Sequence, residues 1–119
     1  MSLRIFIADD DAGMRSVLGK IIENMDDMHC IGEAADGGEA VRLVLELVPD
    51  IVLLDIDMPV MSGVEAAKEI SSKLPDTTII FVTAHSGYAL NAFELYAADY
   101  LLKPFKPDRI LQTVTKILG

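Results

Sequence analysis

Ile51-Val52-Leu53-Leu54-Asp55-Ile56-Asp57-Met58-Pro59 is the stretch that decides the fold of this chain. Four successive apolar residues without polar alternation mark a strand covered on both faces, and such strands belong to parallel sheets flanked by helices. Upstream, Leu3–Ala8 reads as a strand, and Asp11 stands as N-cap of a helix whose apolar positions Met14, Val17, Leu18, Ile21, Ile22 and Met25 follow helical spacing. Met28–Ala34 reads as a second strand. Asp36-Gly37-Gly38 then opens a helix carrying Val41, Val44, Leu45 and Val48, which Pro49 closes. Downstream, Ser62-Gly63 precedes a helix with Val64, Ala67, Ile70 and Leu74. Thr78–Thr83 repeats the strand pattern, followed by a helix through Tyr88, Ala92 and Phe93. Tyr100–Leu102 forms the last strand, and Pro107-Asp108 starts a final helix bearing Ile110, Leu111, Val114, Ile117 and Leu118. Five strand–helix units with short connections predict a doubly wound α/β fold, with a five-stranded parallel sheet and right-handed crossovers.

The 119 residues fit one domain, expected to span 1–119, with Met1-Ser2-Leu3 compatible with a cloning remnant. A 51% apolar content is enough to fill a core. The formal charge of −9 has the wrong sign for gripping nucleic-acid phosphates, so direct nucleic-acid binding is not expected. No apolar run reaches the ~18–20 residues that cross a bilayer, and no cleavable leader is evident. The expectation is a cytoplasmic protein without membrane association. The lone Cys30 reads as a small apolar residue and, like His29, is assigned no chemistry.

In a doubly wound sheet, functional groups collect just beyond the carboxyl ends of the strands. There stand Asp9-Asp10-Asp11, Asp55-Ile56-Asp57, Thr83 and Lys103-Pro104. If the first and third strands are neighbours, Asp10 and Asp55 face each other at ~5 Å and repel by about 3 kcal/mol at an effective dielectric near 20. Such a site calls for a cation. Mg²⁺ suits clustered carboxylates and recruits phosphate oxygens, which points to phosphoryl chemistry with a carboxylate as acceptor. Lys103 and Thr83 are placed to assist. Each residue also has a plainer reading: Asp10 or Asp11 as a helix cap, Thr83 as a strand-end hydroxyl, Lys103 as a surface lysine, His85 as an exposed loop histidine. Met58 and Met61 read as packing or loop contacts.

Four segments together, Ile5-Phe6-Ile7-Ala8-Asp9-Asp10-Asp11, Ile51 through Gly63, Phe81-Val82-Thr83-Ala84 and Asp99-Tyr100-Leu101-Leu102-Lys103-Pro104-Phe105, resemble the CheY-like receiver domain of two-component response regulators across essentially the whole chain. The resemblance implies the flavodoxin-like strand order 2-1-3-4-5. It implies Asp55 as phospho-acceptor and Mg²⁺ (or Mn²⁺) held by Asp10, Asp55 and the backbone carbonyl of Asp57, with Asp9 supporting the metal through its water shell. Thr83 and Lys103 would contact phosphoryl oxygens, and the Lys103-Pro104 peptide is expected to be cis. Tyr100 matches the aromatic switch position that follows Thr83, altering the surface of the fourth helix, fifth strand and fifth helix. Asp57 and His85 match positions that tune phosphoryl lifetime. Implied partners are a sensor histidine kinase or phosphotransfer protein, and a homodimer through that switch surface. Met14, Arg15, Leu18 and Phe105 are docking candidates, and Phe93, Tyr96 and Leu101 are candidates for the dimer face, with buried core as the plainer reading of the apolar ones. The run from Thr83 to Glu94 is similar to receivers that precede LytTR-type DNA-binding domains.

Three other classes compete. A haloacid-dehalogenase-like phosphatase also carries Asp-x-Asp after an apolar strand, but Pro59 stands where that motif takes Thr or Val. A flavin mononucleotide carrier needs a Ser/Thr/Gly-rich loop after the first strand, where Asp9-Asp10-Asp11 would repel its phosphate. A pseudo-receiver that only binds partners would lack chemical positions that are all filled here.

Overall fold

The computed structural model describes residues 2–84 and 96–118. The described residues form β1 (Leu3–Ala8), α1 (Ala12–Glu23), β2 (Met28–Ala34), α2 (Gly37–Leu47), β3 (Ile51–Leu54), α3 (Gly63–Lys73), β4 (Thr78–Thr83), β5 (Asp99–Leu102) and α4 (Pro107–Leu118). All strand pairs are parallel and the order is β2-β1-β3-β4-β5, as the family resemblance implied. The helix expected through Tyr88, Ala92 and Phe93 lies outside the described residues, as do His85 and Glu94.

The alternation of side chains along each strand divides the core into two layers. Phe6, Ala8, Val52, Leu54, Ile79 and Phe81 face α2 and α3, which contribute Ala40, Val44, Ala66, Ala67 and Ile70. Ile5, Ile7, Leu53, Ile80 and Val82 face α1 and α4, which contribute Leu18, Ile22, Ile110 and Val114. Leu18 is 1% exposed, which corrects its reading as a docking residue: the helical stripe that carries it is the one turned to the sheet. Leu101, 2% exposed, belongs to the same layer, so it is core and not an available dimer contact.

Helix starts follow side-chain capping. The carboxylates of Asp11 and Asp36 and the hydroxyl of Ser62 accept from the backbone N–H groups of Gly13, Glu39 and Glu65, satisfying donors that have no partner inside a helix. Asp11, not Asp10, takes the capping role on α1, which leaves Asp10 free for another. β5 begins one residue earlier than expected, at Asp99. This buried acid accepts from Thr113 Oγ1 at 2.9 Å, with Arg109 3.6 Å away, so a residue type that reads as loop is tied into the sheet by α4.

Candidate functional site

The carboxyl ends of β1, β3 and β5 bring Asp9, Asp10, Asp55 and Lys103 into one polar cluster. Asp9 follows the last residue of β1 and Asp55 the last residue of β3, and these strands are direct neighbours, with Ala8 opposite Leu54. Single oxygens of Asp9, Asp10 and Asp55 lie within 4.8 Å of one another. Asp9 and Asp55 are 1% and 6% exposed, whereas Asp10 reaches solvent. The cluster therefore combines two buried carboxylates with a third that reaches solvent.

Lys103 extends from the end of β5 across β4 to reach both buried acids. Its Nζ donates to Asp9 Oδ2 at 2.7 Å and to Asp55 Oδ2 at 3.1 Å. Burial alone would pull the ammonium's pKa down, but the hydrogen bonds and negative charge of the two carboxylates outweigh it and hold the pKa above its usual value. Burial also pushes the Asp9 carboxyl upward, with Asp55's charge adding to it, against the opposing hydrogen bonds from Lys103 and from the Asp11 N–H at 2.9 Å. The second oxygen of Asp55 accepts from the Asp57 N–H at 3.3 Å. Asp57 itself is exposed on the loop after β3.

Two glycines let the backbone close around this loop. A Cβ on Gly63 would lie 1.9 Å from the carbonyl oxygen of Asp55, and one on Gly37 would lie 1.9 Å from that of Met61. No other residue fits either place. Between them, the Met61 N–H donates to the Pro59 carbonyl at 2.8 Å around Val60, whose φ is 70°, the arrangement of a γ-turn. Strain of this kind in a β-branched residue marks a loop whose path is imposed by its surroundings.

Thr83 is fully buried at the end of β4, and its carbonyl accepts from the Lys103 N–H at 2.9 Å. The Lys103-Pro104 peptide bond is cis. Tyr100 on β5 lies opposite Phe81 of β4, with ring centroids 6.3 Å apart and planes at 60°. Its hydroxyl is buried with no hydrogen-bond partner among the described residues, and burial, with the charges of Asp55 and Asp57, raises its pKa above the ordinary 10.0. The expected acids, Lys103, Thr83 and Tyr100 thus share one end of the sheet. Of the docking candidates, Met14 packs on the core layer and Phe105 is half-buried against it. Arg15 turns toward Asp9 and Glu33, a role that helix periodicity does not reveal. Tyr96 is half-buried, and Phe93 lies outside the described residues. Cys30 is half-buried, its thiol donating to the Gly32 carbonyl, and burial raises its pKa, in keeping with an inert residue. Among the described residues no helix is long and apolar enough to cross a membrane.

Comparison with known proteins gives the same picture. Residues 5–115 match the family described as "Response regulator receiver domain". The chain is 40% identical to the chemotaxis protein CheY of Thermotoga maritima, over 98% of both chains. It is 36% identical to the sensory transduction protein LytT of Oceanobacillus iheyensis, covering 98% of this chain and 48% of that one. The chain spans about half the length of several such curated relatives. Among solved structures, a chain of the CheX–CheY–BeF₃–Mg²⁺ complex of Borrelia burgdorferi superposes with a TM-score of 0.92 at 26% identity, over 98% of this chain and 90% of that one. A parallel sheet in the order 2-1-3-4-5, an acidic pocket at its carboxyl edge and these matches lead to one conclusion: the chain belongs to the receiver-domain family of two-component response regulators.

Proposed function

We propose that this domain accepts a phosphoryl group on Asp55 from a sensor histidine kinase or phosphotransfer protein, with Mg²⁺ (or Mn²⁺) bound beside it. The observation that carries the reading is the convergence of Asp9, Asp10 and Asp55 on a common point, with Lys103 spanning the two buried acids. Asp10, Asp55 and the carbonyl of Asp57 would hold the ion, and Asp9 would act through its water shell. The donor set fits a hard cation that takes one or two carboxylates and keeps several waters. A relative of this fold is described in complex with BeF₃ and Mg²⁺, which supports the same assignment. Mg²⁺ bound there supplies charge neutralisation for the transferred oxygens.

The chain's own residues account for the rest. A carboxylate oxygen of Asp55 attacks phosphorus in line, the P–N bond of the donor's phosphohistidine breaks, and the imidazole leaves with the electron pair. Lys103 follows the charge from the carboxylate to a phosphoryl oxygen, and Thr83 donates its hydroxyl to another. Phosphorylation replaces one carboxylate by a group carrying more charge and three strong acceptors. Thr83 moves toward it, and the Tyr100 ring, packed on Phe81 with a hydroxyl that has no partner among the described residues, takes up a second position. The output is a changed surface on the segment through Tyr88 and Phe93, β5 and α4, available for homodimerisation or for an effector. Asp57 and His85 tune how long the aspartyl phosphate lasts, and the domain catalyses its own dephosphorylation by water. The whole of 1–119 acts as one cytoplasmic unit that binds neither nucleic acid nor membrane by itself.

Intact mass after incubation with a small phosphodonor tests this. Wild type is expected to gain one phosphoryl group with Mg²⁺ and none with chelator, and Asp55→Asn none in either. Labelling of Asp55→Asn at the wild-type level would overturn the assignment.

A further inference from the structure

Where β1 leaves the sheet, the direction of the chain decides where the Asp10 carboxylate goes. The last ties of β1 to its neighbours are the Asp55 N–H donating to the Ala8 carbonyl at 2.9 Å and the Asp9 N–H donating to the Ala34 carbonyl at 3.0 Å. Beyond them, the Asp9 carbonyl is held by a side chain: Arg15 donates to it from α1 through a guanidinium N–H at 2.7 Å. That carbonyl belongs to the peptide plane joining Asp9 to Asp10, so fixing it fixes the rotation that aims Asp10 into the pocket. The guanidinium is fixed in turn. Its Nε lies 3.2 Å from Oε1 of Glu33, a β2 residue that pairs with Ile7 of β1. Glu33, Arg15 and Asp9 thus brace the turn from β2 through α1, and Arg15 is mostly buried while doing so.

We propose that Arg15, held by Glu33, is a positioning residue of the metal pocket, setting the Asp9-Asp10 peptide so that Asp10 converges with Asp9 and Asp55. The inference rests on the reading of that pocket as a cation site. Charge and geometry make opposite forecasts for it. A cation bonded to the backbone of Asp9 repels an incoming divalent ion, so its removal would tighten Mg²⁺ binding if field alone mattered. If Arg15 acts by positioning, its removal weakens binding despite the lost repulsion.

Calorimetric titration of the protein with Mg²⁺ at fixed ionic strength separates the two. Arg15→Gln is expected to raise the Mg²⁺ dissociation constant by about tenfold, the usual scale for groups that orient a ligand without touching the ion. Adding Glu33→Gln to Arg15→Gln is expected to change little further, because Glu33 acts through Arg15. Arg15→Lys, which keeps the charge but loses the spread of the guanidinium, is expected to fall between. It also carries the test should Arg15→Gln fail to fold: its wild-type affinity would overturn the proposal. So would an Arg15→Gln dissociation constant equal to or below that of wild type. Wild type without measurable Mg²⁺ binding would instead sink the pocket reading itself, and this proposal with it.

Discussion

Replacing Lys103 with Met keeps the length and apolar stem of the side chain and removes only the charge that Asp9 and Asp55 share. In the native protein that ammonium lies 2.7 and 3.1 Å from one oxygen of each acid. Without it, two almost fully buried carboxylates face each other within 4.8 Å. At an effective dielectric of about 20 the repulsion is about 3 kcal/mol, and burial protects it from screening by salt. Urea unfolding at neutral pH in chelator should therefore show Lys103→Met less stable by about 3 kcal/mol, with an unchanged slope. Mg²⁺ held by Asp10 and Asp55 would bring a replacement positive charge to the same acidic cluster, and in the variant it no longer meets a repelling ammonium. Millimolar Mg²⁺ should accordingly stabilise the variant more than wild type and close most of the gap. A variant within about 0.5 kcal/mol of wild type in chelator would refute the reasoning, as would equal stabilisation of both proteins by Mg²⁺.

Tyr100→Phe removes a buried hydroxyl that has no partner among the described residues, so stability at neutral pH should rise by about 1 kcal/mol, measured by thermal or urea unfolding. The same variant probes alkaline behaviour. Tyr100 and Lys103 both hold their protons more tightly folded than unfolded, so their contributions are complete below 10.0 and 10.5 and are lost as pH rises through the folded values. The alkaline limb of the stability curve should be shallower in Tyr100→Phe than in wild type. Gly63→Ala puts a methyl 1.9 Å from the Asp55 carbonyl oxygen, and should cost about 3 kcal/mol and slow phosphodonor labelling by displacing the β3 loop. Thr113→Val keeps the side-chain shape but strips Asp99 of the hydroxyl donor at 2.9 Å, and should cost about 2 kcal/mol in urea unfolding.

The strands are legible because short apolar runs alternate with helix-spaced stretches, and those of β1 and β3 end directly at acids. β1, β2, β3 and β4 begin and end where the patterning places them. β5 reads one residue short in the sequence, since a buried aspartate at a strand start cannot be told from a loop acid until Thr113 and Arg109, on a helix still to come, supply its partners. Leu18 fits both the helical stripe and a docking surface by spacing, and only the packing of α1 on β1 and β3 decides between them. The identities at the pocket were readable from strand ends, but their connections were not. Lys103 reaches Asp9 across 94 positions and Asp55 across 48, a contact that exists only once β1, β3, β4 and β5 stand side by side. Arg15 reads as a surface residue for the same reason. Its partner Glu33 lies on β2, and nothing in the spacing of 15 and 33 announces a bridge.

Phosphoryl transfer to this domain requires that a carboxylate oxygen of Asp55 form the bond to phosphorus. Borohydride reduces an acyl phosphate to an alcohol, so treatment of the phosphodonor-labelled protein converts the modified aspartate to homoserine, and peptide mass mapping then places it. The account predicts homoserine at position 55, formed only when Mg²⁺ is present during labelling. Homoserine at Asp9, Asp10 or Asp57 with Asp55 unchanged would contradict it.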